Sequence, residues 1–565
     1  MRILLVASAF NSLTQRVHAE LRERGHRVGV VLALGEDTIR AKVAEFAPDL
    51  IVAPMLTSAI PEDIWSAHTV LIVHPGPKGD RGPSSLDWAV HEGADEWGVT
   101  VLQAVAEMDA GPIWATEPFP VAACGKSELY RTEVADAAVR AVLTAVNRYA
   151  TGAFVPEPLD YDRPDVRGVL RPYHAQQYRR IDWTTDDTAT VLRRLRAADS
   201  QPGVLDELYG REFFVHGGHP EDRLRGAPGA VIATRDGAIC RATVDGAVWL
   251  PQLRPRRIPG GPTTFKMPAT TALGADLPPG IPEAPVSPAE AATRDTWSEI
   301  RYREENEVGY LEFAFTSGAM STEQCRRLLA AYREAATRPV NVLVLGPARD
   351  FFSNGIHLNV IEAAPDPAAE SWANINAMDD LVEAILTTTD TLVVAALAGN
   401  AAAGGVMLAL AADEVWCRAS TVLNPHYRLM GLYGSEYWTY TLPRRVGAAT
   451  AERLTTEALP VGARAAVSLG LVDRALPGDA AHFWDQVRRD AETLSAAPEL
   501  ADRLVRKKRR RAADEAERPL SDYRATELGH MWRNFHAPGE PYHALRRDFV
   551  HKVCPTRTPD HLIDV

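Results

Sequence analysis

The sequence predicts a multidomain α/β protein: an N-terminal unit on a parallel sheet, a small β unit, and a second α/β unit reached through a proline-rich stretch. Three observations predict it. Short apolar runs alternate with helical periodicity over the first 150 residues. The next hundred switch to short strands separated by Asp-Gly turns. Residues 276–290 read DLPPGIPEAPVSPAE, the proline density of an extended, semi-rigid linker.

In the N-terminal unit, residues 3–7 form an apolar run of buried-strand length, residues 14–24 have helical periodicity ending at Gly25, and residues 28–34, 49–54 and 70–73 are further strands. Strands alternating with helices make βαβ units and a parallel sheet. The turn after the first strand, Ser8-Ala-Phe-Asn-Ser-Leu13, contains no Gly-x-Gly-x-x-Gly, so no dinucleotide cofactor is expected. Residues 183–198 read as a short helix opening the second unit, and Asp236-Gly237 and Asp245-Gly246 mark its hairpins. The second α/β unit begins near Trp297. The expected boundaries are 1–165, 166–265, a linker over 266–296, and 297–565.

Composition narrows the function. The 565 residues carry 74 acidic and 61 basic side chains, a net charge of −13, which argues against a nucleic-acid binder. Hydrophobic residues make up 46% and charged residues 24%, a soluble globular balance. The five cysteines have neither zinc spacing nor a disulfide framework, so no metal is expected and a cytoplasmic location fits. The N-terminus lacks an apolar run of signal-peptide length. Residues 392–412 are uncharged, but Gly399, Asn400, Gly404 and Gly405 interrupt them, so a strand, a glycine turn and a buried helix are expected and no membrane span. One basic run, residues 506–511, reads either as a solvated helix face or as a phosphate contact.

Two stretches carry chemistry. In the first, a strand ends in His74-Pro75-Gly76, followed by Gly79-Asp-Arg-Gly82-Pro-Ser84-Ser85, then Gly98-Val-Thr100 and Asp109-Ala-Gly111. A histidine at the C-terminal end of a parallel strand sits where open α/β sheets place their sites. In the second, two strand–turn–helix junctions follow each other: Phe352-Ser-Asn-Gly355-Ile356-His357-Leu358, and Gly399 to Asp413 with Gly404-Gly405 at its turn. Amides at such turns can form an oxyanion hole.

The first stretch resembles the folate-dependent formyltransferases, which carry Asn-x-His, a glycine-ended loop, Gly-Val-Thr and Asp-x-Gly. The match implies His74 and Asp109 as the acid–base pair and a formyl pocket at Gly82, Ser84 and Ser85. Residues 166–262 resemble that family's C-terminal, OB-like β domain. The family asparagine falls at Ile72, whose side chain cannot polarise a formyl oxygen; Ser84, Ser85 and Lys78 are the candidate substitutes. The second stretch resembles the crotonase superfamily of enoyl-CoA hydratases and isomerases and implies its ββα superhelix. Ile356 and Gly404 take the oxyanion-hole positions for a coenzyme A thioester. Here too there are departures: the two catalytic glutamates fall at Met407 and His426, and His357 takes an aspartate slot. Tyr427 and Glu436, on the segment that follows, are the candidate proton-transfer groups, with ordinary interface hydrogen bonding as the plainer reading; His426 is a further candidate.

The two halves together resemble the HypX (HoxX) family of hydrogenase maturation proteins over essentially the whole chain. That resemblance implies carbon monoxide synthesis for the iron of NiFe hydrogenase: formyl transfer from 10-formyltetrahydrofolate to coenzyme A, then decarbonylation of formyl-CoA. It implies small-molecule substrates and hydrogenase maturation proteins as partners. Two alternatives stay open at this point, a crotonase-type acyl-CoA enzyme with a vestigial folate domain and a non-catalytic maturation scaffold.

Overall fold

The computed structural model describes residues 1–563. It divides into two compact units, Met1–Pro285 together with the segment from Cys554 onward, and Val286–Val553.

The first unit opens with a six-stranded sheet of β1 (Arg2–Ala7), β2 (Arg27–Leu32), β3 (Leu50–Ala53), β4 (Val70–His74), β5 (Glu96–Gln103) and β6 (Ile113–Pro120), in the order β2-β1-β3-β4-β5-β6. The first four strands are parallel, and β5 and β6 add an antiparallel edge. Five consecutive buried residues in β1 and four in β3 show why they read as unbroken apolar runs: a parallel strand is covered on both faces. The first helix, Ser12–Glu23, is capped by Asn11, whose side chain accepts the Thr14 amide at 3.0 Å.

The small β unit has two four-stranded sheets. One contains β7 (Val204–Leu208), β8 (Arg211–His216), β13 (Gln252–Pro255) and β14 (Met267–Pro268). The other contains β9 (His219–Glu221), β10 (Val231–Arg235), β11 (Ala238–Ala242) and β12 (Ala247–Leu250). Both Asp-Gly turns connect antiparallel neighbours. The helix expected over 183–198 starts later, at Thr188, because Asp187 caps it.

Two boundaries differ from expectation. The stretch expected to be a linker, 266–296, contains strand β14, two short α-helices and one 3-10 turn. Its residues up to 285 are anchored to the small β unit, where the Thr234 amide bonds Pro282 O and the Arg235 guanidinium bonds Ala284 O; from Val286 on it belongs to the second unit, where Arg301 bonds Ala291 O. The third domain, expected to run to 565, ends at Val553. The Thr558 hydroxyl accepts the Leu32 amide at 3.0 Å, and Leu562 is buried, so the end of the chain packs with the first unit.

The second unit contains a six-stranded sheet of β15 (Ile300–Glu305), β16 (Val308–Phe313), β17 (Val342–Gly346), β18 (Leu392–Leu397), β20 (Glu414–Arg418) and β23 (Arg474–Leu476), in that order. A small second sheet holds β19 (Ala401–Ala402), β21 (Val422–Asn424) and β22 (Val461–Gly462). From β16 onward the large sheet is parallel. The uncharged stretch 392–412 is β18, a turn and the helix Gly404–Leu410; no helix among the described residues is long and apolar enough to cross a membrane. The fold is thus the expected α/β multidomain arrangement of Rossmann-like sheet, OB-like β unit and crotonase-like unit.

Candidate active sites

In the first unit, β4 carries His74 to the end of the sheet, and its ring lies between two carboxylates. Nε2 is 2.9 Å from Asp80 Oδ2, and Nδ1 is 3.6 Å from Asp109 Oδ2. Asp109 also accepts the Gly82 amide at 3.3 Å, so the glycine-ended loop and the Asp-x-Gly turn meet at the histidine. Asp109 itself is in the left-handed region at φ 55°. Gly111 follows because the chain presses onto β5: a Cβ there would stand 1.7 Å from Gln103 O. Thr100 lies opposite His74 in the sheet and donates to Gly76 O at 2.8 Å, which fixes the turn after the histidine.

Sequence reasoning missed Asp80 and the group behind it. Arg171 pairs with Asp80 Oδ1 at 3.0 Å, so the carboxylate under the imidazole has its own cation. Segment 166–174 straps the loop through Gly168 N to Lys78 O and Arg171 N to Arg81 O. The available signal was an acid between Gly79 and Gly82 six residues after the histidine. The candidate donors are placed differently. The Ser85 hydroxyl donates to Pro75 O, Ser84 accepts the His174 amide, and Lys78 pairs with Glu157 and Asp165. Ile72 shares the His74 face of β4 and packs on the apolar cluster around Leu4, Val6 and Ile51.

In the second unit, two loops are pressed together by small residues. The Ser353 backbone bridges to Ala401, and Met320 bridges to Ile356. The amide of Gly404 opens its helix and has no intrahelical acceptor. An ideal Cβ on Gly355 would lie 3.3 Å from Gly404 N, which brings the Ile356 and Gly404 turns together. His357 takes over the aspartate's local role: its side chain caps the next helix by accepting the Val360 amide, and burial lowers its pKa to about 4. Met407 is wholly buried in the core. His426 bonds Asn424 O at 2.8 Å, and burial lowers its pKa.

Glu436 stands over the Gly404 turn, with Oε1 2.0 Å from where a Gly404 Cβ would be. Its other oxygen, Oε2, accepts from the Tyr427 hydroxyl at 2.8 Å and the Ser435 amide at 3.0 Å. Oε2 is thus taken up by two donors, and Oε1 is the oxygen that stands against the Gly404 turn. Burial, with repulsion from Asp379, pushes the Glu436 pKa up to about 8. Burial and the neighbouring Glu436 push Tyr427 well above its usual range, so the phenol is the donor in this pair. Glu436 and Tyr437 are successive non-glycine residues in the left-handed region, at φ 60° and 58°. Each such residue costs about 1–3 kcal/mol and persists only where its surroundings enforce it, and such strain clusters at functional sites.

Both units thus define the class, a formyltransferase-like half followed by a crotonase-like half. Family models agree: Formyl transferase matches residues 32–146, Formyl transferase, C-terminal domain, matches 175–260, and Enoyl-CoA hydratase/isomerase matches 306–537. The chain is 50% identical to the hydrogenase maturation factor HoxX of Bradyrhizobium diazoefficiens, over 99% of this chain and 96% of that one. The crystal structure of HypX from Aquifex aeolicus in complex with tetrahydrofolic acid superimposes with a TM-score of 0.95 at 42% identity, covering 100% of this chain and 98% of that chain. Methionyl-tRNA formyltransferase of Roseiflexus castenholzii is 27% identical over 249 residues, 42% of this chain and 77% of that one. The chain belongs to the HypX/HoxX family of hydrogenase maturation factors.

Proposed function

We propose that this protein makes carbon monoxide for hydrogenase maturation in two steps, formyl transfer from 10-formyltetrahydrofolate to coenzyme A and decarbonylation of the resulting formyl-CoA. The tetrahydrofolic acid held by the Aquifex relative and the formyltransferase domain support a folate substrate. A histidine between two carboxylates suits the first step. His74 accepts the thiol proton as the sulfur attacks the formyl carbon, and returns it to the folate nitrogen as the C–N bond breaks. Asp109 and Asp80 stabilise the imidazolium.

One observation carries the second step: Glu436 Oε1 stands against the Gly404 turn, 2.0 Å from where a Cβ of Gly404 would be, in a site where Met407 and His426 fill the slots of the hydratase glutamates. The amides of Ile356 and Gly404 hold the thioester oxygen. Glu436 Oε1 takes the formyl C–H proton, and that electron pair stays on carbon. The C–S pair leaves on sulfur, carbon monoxide departs, and the proton passes from Glu436 to the thiolate. Burial raises the Glu436 carboxyl toward the ordinary thiol range, which favours return of the proton to the thiolate. Tyr427 orients the carboxylate through Oε2. The reading places the protein in the cytoplasm, and hydrogenase maturation proteins are the partner class implied by the family.

The test is to incubate the purified chain with 10-formyltetrahydrofolate and coenzyme A and trap the gas with deoxyhaemoglobin. Carbon monoxide stoichiometric with the tetrahydrofolate formed is the expected result; folate turnover that yields only formate, or none at all, would overturn the reading.

A further inference from the structure

The mechanism leaves two fully buried acids unused. Asp379, on the helix Pro367–Thr387, and Glu527, on the helix Leu520–His536, are both 0% exposed. Their oxygens are taken up by the backbone that carries Glu436. Asp379 Oδ1 accepts the Glu436 amide at 2.8 Å, and Oδ2 accepts the Ser435 hydroxyl at 2.9 Å. Glu527 Oε2 accepts the Tyr437 amide at 2.9 Å, and Oε1 accepts the Thr439 amide at 2.8 Å together with the Thr439 hydroxyl. Three backbone amides within four residues are thus held by two carboxylates from helices 57 and 90 residues away in sequence.

This segment contains the two successive left-handed residues, Glu436 and Tyr437. A conformation that L-residues avoid persists only where outside contacts over-determine it. A core-facing acid is a costly way to accept an amide, and two side by side are costlier, so simple packing does not account for them. Arg524 lies one turn from Glu527 on the same helix. It reaches Asp379 at only 3.9 Å while pairing more closely with Asp380 and Glu383, so the cation does not neutralise the pair by direct contact.

We propose that Asp379 and Glu527 are positioning residues for the second site, a two-carboxylate clamp that forces the Ser435–Thr439 turn and so holds Glu436 Oε1 against the Gly404 turn. This rests on the assignment of Glu436 as the proton-transfer group. Loss of the clamp leaves the carboxylate present but misplaced, and a displacement of about 1 Å from the reacting bond costs ~10²-fold in rate.

The experiment uses the full chain, 10-formyltetrahydrofolate and coenzyme A, with carbon monoxide, folate consumption and thermal melting read on each variant. Asp379→Ala should lower kcat for carbon monoxide by ~10²-fold with KM for coenzyme A unchanged and folate consumption intact. Asp379→Asn keeps an acceptor for the Glu436 amide and a hydrogen-bonding partner for Ser435, and should recover kcat to within ~10-fold of wild type. Glu527→Gln preserves volume but leaves one of its two backbone amides without an acceptor. It should fold and fall between the two, which keeps the test decisive if the alanine variant does not fold. Wild-type kcat in folded Asp379→Ala, or in Glu527→Gln, would overturn the clamp. A Glu436→Gln control separates the two ideas: wild-type carbon monoxide output there would sink the assignment of Glu436, whereas an inactive Glu436→Gln beside fully active clamp variants would sink the clamp alone.

Discussion

On the proposed mechanism the two sites solve one problem, proton transfer, with opposite electrostatics. At His74 charge is compensated: the imidazole lies between Asp80 and Asp109, and Arg171 backs Asp80 at 3.0 Å. At Glu436 charge is concentrated: three buried acids crowd together, and burial lifts Glu436 and Glu527 to about 8 and Asp379 to about 7. Histidine is the side chain type whose ordinary range already spans neutrality, so compensation is enough to make it useful. A carboxylic acid reaches that range only when water is removed and like charges are brought close. The first site therefore keeps most of a family motif, while the second gives up both family glutamates and depends on a strained turn instead.

Separable lesions are the sharpest way to break this comparison. Glu436→Gln should lower carbon monoxide formation by ~10³-fold or more, within the range for losing an acid–base group, yet leave folate consumption in place. Formyl-CoA or formate should then accumulate, as mass spectrometry of quenched single turnovers would show. If folate consumption stopped as well, one shared site would replace two. His74→Ala should produce the complementary lesion, with formyl release down by ~10²-fold and decarbonylation of supplied formyl-CoA untouched. Tyr427→Phe removes one of the two donors to Glu436 Oε2 and should cost less, ~10-fold, the size expected for a hydrogen bond to a charged group.

Much of the first site was legible because its motif is local: His74, Gly82, Thr100 and Asp109 lie on consecutive elements of one sheet edge. Asp80 was not singled out, since a loop acid between glycines also reads as a turn residue. At the second site Ile356 and Gly404 were legible from the two glycine turns, and Tyr427 and Glu436 from their segment. Asp379 and Glu527 belong to no motif. Their only signal is periodic: Glu527 lies on the buried stripe of Leu520, Tyr523, Met531 and Phe535, where an acid breaks an otherwise apolar face, and Asp379 lies among Ile375, Met378 and Val382 on a face that also buries Ser371 and Asn374. The fold of each unit was readable from strand runs and turn chemistry. The return of the chain end to the first unit was not, because Thr558 meets Leu32 across 526 residues with no pattern linking them.

The pH responses should differ as the charges do. Glu436 acts as a base only when ionised, so kcat for decarbonylation should climb with pH and level off above about 8, read with supplied formyl-CoA. The same acids should act on stability with the opposite sign. Folded, Glu436 and Glu527 hold protons to about 8; unfolded, they release them near the ordinary value of about 4.3. The unfolded chain is thus the first to lose protons as pH rises, and the native unit loses stability across that interval while keeping its full contribution below it. Thermal melts of the full chain should show the second unit's transition falling between pH 5 and 8, and Glu527→Gln should flatten the fall. A transition that rises over that range would mean the acids are ionised in the native state.

The smallest effect is expected at the basic run. On the helix Leu500–Glu517 half of its cations already have partners in the chain: Lys507 is buried against Asp413 and Thr391 O, Arg511 pairs with Glu515 and bonds Tyr440, and Lys508 pairs with Asp390 at the surface. Arg506, Arg509 and Arg510 are exposed. Exposed charges are screened and contribute about 0–1 kcal/mol to any one contact, so replacing all three by alanine should change KM for coenzyme A by less than ~5-fold and leave kcat unchanged. Lys507→Met should behave differently, because it strands a largely buried carboxylate at Asp413, and removing one partner of a buried pair costs about 3–5 kcal/mol of stability. Calorimetric titration of coenzyme A into the triple variant checks the first claim. A loss of affinity beyond ~10-fold, with a salt dependence that disappears together with the arginines, would place the phosphates of the thioester substrate on this helix and make its outer face part of the second site.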